Sequence, residues 1–145
     1  MKTHTFNIDT TSFGELSTEE LTDIFLDGRF ISPFLERHIP IWFPHLTHIK
    51  GNKPYDHIDQ DDNKYDAKNF TKNGLQFMPS GMIGTGRKYD KVVCLKKIQK
   101  YDMIYILCDI TGFPEIRIVF AKGEDLLNIY GNARIPYKDR VEIFG

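Results

Sequence analysis

The chain reads as α/β, a sandwich in which helices flank a central mixed sheet. Three features carry that reading. Apolar residues recur at helical spacing behind two helix-start signals in the first part of the chain. A turn-rich centre, Gln60-Asp61-Asp62-Asn63, sits between β-compatible residues and marks a hairpin. Past a basic segment, residues 103–110 are a near-continuous apolar run and residues 113–120 come after a Gly112 turn, as two further strands would. Helices, a hairpin, another helix and more strands, in that order, suggest helices layered on a mixed sheet.

The first helix has a defined start. Ser17-Thr18-Glu19-Glu20 matches a capping box, in which the Ser17 hydroxyl accepts from the Glu20 amide and the Glu20 side chain reaches back. Leu21, Ile24 and Phe25 give the apolar stripe, and Asp27-Gly28 is a plausible stop. A second helix is expected to start at Ser32-Pro33, a cap residue followed by proline at the first helical position. It carries Phe34, Leu35, Glu36 and Ile39, and Pro40 and Pro44 are expected to break up the chain beyond Ile39. Residues 70–88 read as a loop with glycines at 81, 84 and 86, and residues 91–100 as an amphipathic helix with a lysine-rich outer face. A short helix is expected from Gly123.

Size and composition narrow the class. A length of 145 residues fits a single domain over 1–145, and 41% hydrophobic with 27% charged residues is the balance of a globular protein. No apolar run approaches the ~18 residues of a membrane span, and the polar start gives no secretory signal. Cys94 and Cys108 lie in apolar stretches without a CxxC pair, so both read as buried thiols of a cytoplasmic protein.

A net charge of -1 conceals an asymmetry. Residues 1–63 carry five Lys/Arg against eleven Asp/Glu, residues 64–100 nine against two, and residues 101–145 five against seven. The basic middle is either a solvated helix face or a track for a polyanion.

The hairpin decides which. Asp56 falls on its first strand, Asp66 and Lys68 on its second. Side chains alternate along a strand, so Asp66 and Lys68 share a face about 7 Å apart, and pairing across the hairpin can bring Asp56 beside them. Two carboxylates and an ammonium on one spot suit phosphodiester hydrolysis. Mg²⁺ commonly takes one or two carboxylates plus waters and substrate phosphate, and a nearby lysine adds positive charge.

Pro54-Tyr55-Asp56, nine residues, then Asp66-Ala67-Lys68 resembles the PD-(D/E)xK signature of type II restriction endonucleases and of many repair and recombination nucleases. Tyr55, between the proline and the aspartate, departs from it. The resemblance implies a restriction-endonuclease-like sandwich and a metal-dependent endodeoxyribonuclease using Mg²⁺, with Mn²⁺ able to substitute. It implies Asp56 and Asp66 as metal ligands and Lys68 as the residue that assists the attacking water. The family often adds a glutamate from the preceding helix, for which Glu36 is the candidate. An exposed helix charge paired with Arg37 is the alternative for Glu36.

Lys72, Arg87 and Lys88, just past the second strand, are the candidates for contacts to double-stranded DNA, although a plain connecting loop explains them equally well. Arg87 is also able to read a guanine edge. GxxxxGK[ST], GxGxxG and GxSxG are absent. His45-x-x-His48 with His38 offers a weak zinc alternative, and His57 a possible substrate contact. A double-strand cut needs two sites, so a homodimer is expected, with the first helices and Ile41-Trp42-Phe43 as interface elements unless that cluster belongs to the core. The competing reading is a nucleic-acid or protein-binding module that keeps the fold without catalysis.

Overall fold

A computed structural model describes residues 1–11 and 13–145. In chain order these form β1 (Thr3–Asn7), α1 (Thr18–Phe25), α2 (Gly28–Trp42), β2 (Thr47–His48), β3 (His57–Ile58), β4 (Lys64–Phe70) and β5 (Leu75–Gln76). Next come α3 (Lys91–Tyr101), β6 (Ile104–Asp109), β7 (Glu115–Lys122), α4 (Gly123–Ile129), β8 (Arg134–Ile135) and α5 (Arg140–Phe144). Short 3₁₀ turns occupy Ser80–Met82 and Tyr137–Asp139.

Six strands make one mixed sheet in the order β1-β7-β6-β4-β3-β2. β4 and β6 run parallel, and the remaining neighbours are antiparallel. A parallel pair needs a crossover, and α3 supplies it. β5 and β8 form a separate two-stranded ribbon. The glycine that turns the chain into β5, Gly74, has φ 81° and lies against the Ile135 carbonyl of β8, where a Cβ would collide.

The alternation of β6 divides the core in two. Tyr105 and Leu107 pack with Phe70, with Cys94 and Ile98 of α3, Leu126 and Leu127 of α4, and Ile143 and Phe144 of α5. Ile106 and Cys108 pack with Leu21 and Phe25 of α1 and Ile31, Leu35 and Ile39 of α2. Helices therefore cover both faces, and β6, between β7 and β4, is buried on each side as its apolar run predicts. The two free cysteines, both buried, belong to opposite faces. No helix among the described residues is long and apolar enough to cross a membrane.

The Ser17–Glu20 capping box is present, with the Glu20 amide donating to Ser17 Oγ at 3.1 Å. The second helix departs from expectation. Asp27 is its N-cap, accepting from the Arg29 amide at 2.9 Å, and the helix runs from Gly28 straight through Pro33 and Pro40. Proline cannot donate to the carbonyl four residues back, so Arg29 and Glu36 each lose a helical donor. Apolar anchoring by Ile31, Leu35 and Ile39, all essentially inaccessible, offsets that loss.

Five elements lie outside the sequence reading, the two-residue strands β2 and β8 among them. β1 is an edge strand paired antiparallel with β7, and its Phe6 stacks on Trp42 at 4.6 Å between ring centroids. The segment read as a loop contains β5 and buries Phe77 and Met78. The chain ends in α5, whose Arg140 Nε donates to the buried Asp109 carboxylate at 2.8 Å.

Candidate active site

The hairpin is organised by its turn. Asp59 accepts from the Asp61 amide at 2.9 Å, the Asn63 amide at 3.0 Å, Asn63 Nδ2 at 2.9 Å and the Tyr65 hydroxyl at 2.8 Å. These donors, the Asn63 side chain first, hold the Asp59 carboxyl down at about 2. Asp62, with φ 62°, closes the turn. The register pairs His57 with Tyr65 and Ile58 with Lys64.

One step beyond β3, the Asp56 amide donates to the Tyr65 carbonyl at 2.8 Å, and the Asp56 side chain comes within hydrogen-bonding reach of the Asp66 side chain. The regular β3–β4 ladder ends there, which leaves a gap along the edge of β4. Asp56 Oδ2 fills the gap by accepting from the Ala67 amide at 3.0 Å.

Alternation along β4 sends Tyr65, Ala67 and Asn69 toward α1 and α2, and Lys64, Asp66, Lys68 and Phe70 toward α3. Lys68 Nζ lies 3.3 Å from Asp66 Oδ2. Asp66 is 9% exposed, and burial pushes its carboxyl up to about 7. Asp56 beside it pushes the same way, and Lys68 opposes both.

The third acid the sequence points to is Glu36. It lies on α2, which packs against the other face of the sheet, and its carboxylate faces His48 Nε2 at 3.6 Å. Its contribution near the hairpin is through the main chain: His57 Nε2 donates to the Glu36 carbonyl at 2.8 Å. That carbonyl is one of the two acceptors deprived by proline. His57 is 0% exposed, so it lies beneath the surface rather than on a substrate path. Burial lowers its pKa and keeps the ring neutral, and its Nδ1 finds no partner among the described residues.

The other histidines do not assemble a zinc site. His38 stacks on Phe34 and His45 stands edge-on to Phe43. Among the described residues no group of three or more His, Cys, Asp or Glu side chains is arranged to hold a metal. A Mg²⁺ ion needs fewer protein ligands than that, because waters and substrate phosphate complete its shell.

The basic candidates are spread out. Lys72 lines an open cleft of about 410 Å³ with Asp27, Gly28 and Thr71, where α1, α2 and the end of β4 meet. Arg87 Nη1 is engaged by the Ser80 carbonyl at 3.3 Å, and Lys88 is exposed. Nearer the acid pair are residues the sequence reading did not single out. Lys64 shares the strand face of Asp66 and Lys68, and Tyr55, next to Asp56, packs beside Tyr101 at the end of α3. Two-residue spacing from Asp66 would have pointed to Lys64, but nothing in the sequence places Tyr101 against Tyr55.

No family model matches the chain, and no curated protein matches it in sequence.

Proposed function

We propose that this protein is a metal-dependent endodeoxyribonuclease of the PD-(D/E)xK type, acting on double-stranded DNA. The observation that carries the reading is the convergence of Asp56, Asp66 and Lys68 at one hairpin edge, with Asp66 raised by burial and by its acidic neighbour.

The donor set suits a hard divalent cation. Asp56 commits one oxygen to the Ala67 amide, and its side chain lies within hydrogen-bonding reach of Asp66. These two residues would hold Mg²⁺, or Mn²⁺ in its place. The bound ion supplies Lewis-acid charge neutralisation at the scissile phosphate and a more acidic water. Lys68, through its ammonium, orients the attacking water and adds positive charge where the phosphorane-like transition state accumulates negative charge. Glu36, whose carboxylate faces His48 at 3.6 Å, is the further acid proposed to serve the ion.

Lys72, Arg87 and Lys88, together with the lysines of α3, are assigned to the DNA backbone, where cations position the duplex without reading it. A homodimer would place two sites on antiparallel strands. Of the expected interface cluster, Phe43 is buried in the core, Trp42 stacks on Phe6, and Ile41 is 68% exposed, so the proposed contact centres on Ile41.

The test is incubation of supercoiled plasmid with the protein in Mg²⁺, in Mn²⁺ and in EDTA. Nicked or linear product in the metal lanes and none in EDTA supports the reading. Intact plasmid in all three, with the protein still retaining DNA, favours a binding module instead.

A further inference from the structure

We infer that Tyr55 and Tyr101 form a stacking platform for an unpaired base of the DNA, with Lys64 and Lys100 taking the phosphates on either side. This rests on the nuclease reading and refines its substrate to DNA that carries an unpaired segment at the site.

The four side chains form one patch beside the acid pair. Tyr55 immediately precedes Asp56, and its ring centroid lies 5.9 Å from that of Tyr101, the two rings tilted at 59°. Both rings are half-buried, packed on the margin of the core cluster that α3 shares with β4 and β6. The same face of β4 carries Asp66 and Lys68. Lys64 Nζ stands 5.1 Å over the Tyr55 ring, and Lys100 Nζ stands 5.3 Å over the Tyr101 ring.

An aromatic pair sandwiched between lysines, at the edge of a site for phosphate chemistry, matches what a single strand offers: a flat base between two phosphates. Inside a duplex the base faces are already stacked on one another, so only an unpaired base can use a tyrosine ring. Lys100 leaves only a weak cation–π contact to take that role, whereas Lys64 also gives up a 2.6 Å pairing with Asp62, whose own side chain is 77% exposed. When a base arrives, each ammonium exchanges a ring face for a phosphate oxygen, a stronger partner.

The experiment measures binding of a short fluorescein-labelled single strand, and of the same sequence as a blunt duplex, in EDTA so that no cleavage intervenes. The wild-type protein is expected to bind the single strand more tightly. Tyr55→Leu and Tyr101→Leu should each weaken single-strand binding roughly 5- to 150-fold, the range of one lost base stack. Tyr55→Phe and Tyr101→Phe, which keep the rings, should stay within about twofold of wild type. Equal affinity for both DNA forms, or leucine variants that bind like wild type, overturns the platform. If a leucine variant melts lower than wild type, Lys64→Gln and Lys100→Gln decide. Each should make the salt dependence of single-strand binding shallower by about one phosphate contact, and an unchanged slope overturns the assignment. The two readings fail separately. Tyrosine-dependent binding without any cleavage in Mg²⁺ keeps the platform and removes the nuclease, whereas Mg²⁺-dependent cleavage of blunt duplex by the leucine variants at the wild-type rate does the reverse.

Discussion

Lys68 Nζ lies 3.3 Å from Asp66 Oδ2, a contact made within one strand by residues two apart, while the Asp56 side chain reaches the same aspartate from the neighbouring chain segment. One cation for two acids leaves the cluster short of positive charge. Burial decides how the deficit is met in the metal-free protein, by drawing a proton onto Asp66.

Stability should therefore depend on pH in a defined direction. The folded protein holds the Asp66 proton up to about 7, whereas the unfolded chain releases it near the ordinary carboxylate value of 3.8. Between those limits the folded state binds more protons, so the Asp66 contribution is complete below the lower value and is lost as pH rises through the upper one. His57 acts oppositely: its folded pKa lies below 6.5, so its contribution is lost as pH falls below that value. Comparing Asp66→Asn with wild type isolates the first effect. In EDTA the variant should gain on wild type between pH 5 and 8, by on the order of 3 kcal/mol. Urea denaturation across that range checks it, and a variant that runs parallel to wild type would show Asp66 to be an ordinary ionised partner of Lys68.

The hydrogen bond from His57 to the Glu36 carbonyl predicts a rescue. His57→Leu leaves a buried acceptor unmet and should cost about 1–3 kcal/mol. Adding Pro40→Ala returns a main-chain N–H to that carbonyl, so the double variant should recover part of the loss. Denaturant midpoints of the single and double variants measure the coupling. Additive behaviour would mean that Pro40 and His57 are not linked through Glu36.

This pair also shows where the sequence was legible and where it was not. The Ser17–Glu20 capping box, the hairpin turn over Gln60-Asp61-Asp62-Asn63 and the apolar run of β6 are local signals, and each appears where expected, although the first hairpin strand is only His57–Ile58 and leaves Asp56 just outside it. Alternation alone placed Asp66 and Lys68 together. The course of α2 was not legible, because prolines at 33 and 40 argue for interruption and the anchoring that overrides them comes from elements distant in sequence. β1 was missed for a similar reason: Thr3-His4-Thr5-Phe6-Asn7 is polar and short, and its strand character comes from pairing with β7 more than a hundred residues later. The surroundings of Glu36 were not legible either, because a helical acid on a partly apolar face announces burial, not the His48 side chain it meets.

Charge reversal of Lys72, Arg87 and Lys88 together should weaken duplex binding and make its salt dependence shallower. Arg87 should contribute least on its own, since the Ser80 carbonyl already engages its guanidinium. Fluorescence anisotropy at several salt concentrations reads both effects, and an unchanged slope would move the backbone track to α3 and its lysines.

Ile41→Lys should leave the monomer fold intact, since Ile41 is exposed, and should abolish a dimer that forms through this end of α2. Sedimentation with and without a DNA duplex reads the outcome. A wild-type monomer in both conditions would remove the dimer and leave the catalytic assignment untouched.

The catalytic assignment itself rests on Asp66 and Lys68 performing metal-dependent cleavage. Its sharpest test is the Mg²⁺-dependent cleavage rate of wild type against Asp66→Asn and Lys68→Ala, each first shown to melt cooperatively. Both variants should lose at least about 100-fold, and cleavage at the wild-type rate by either one would contradict the assignment.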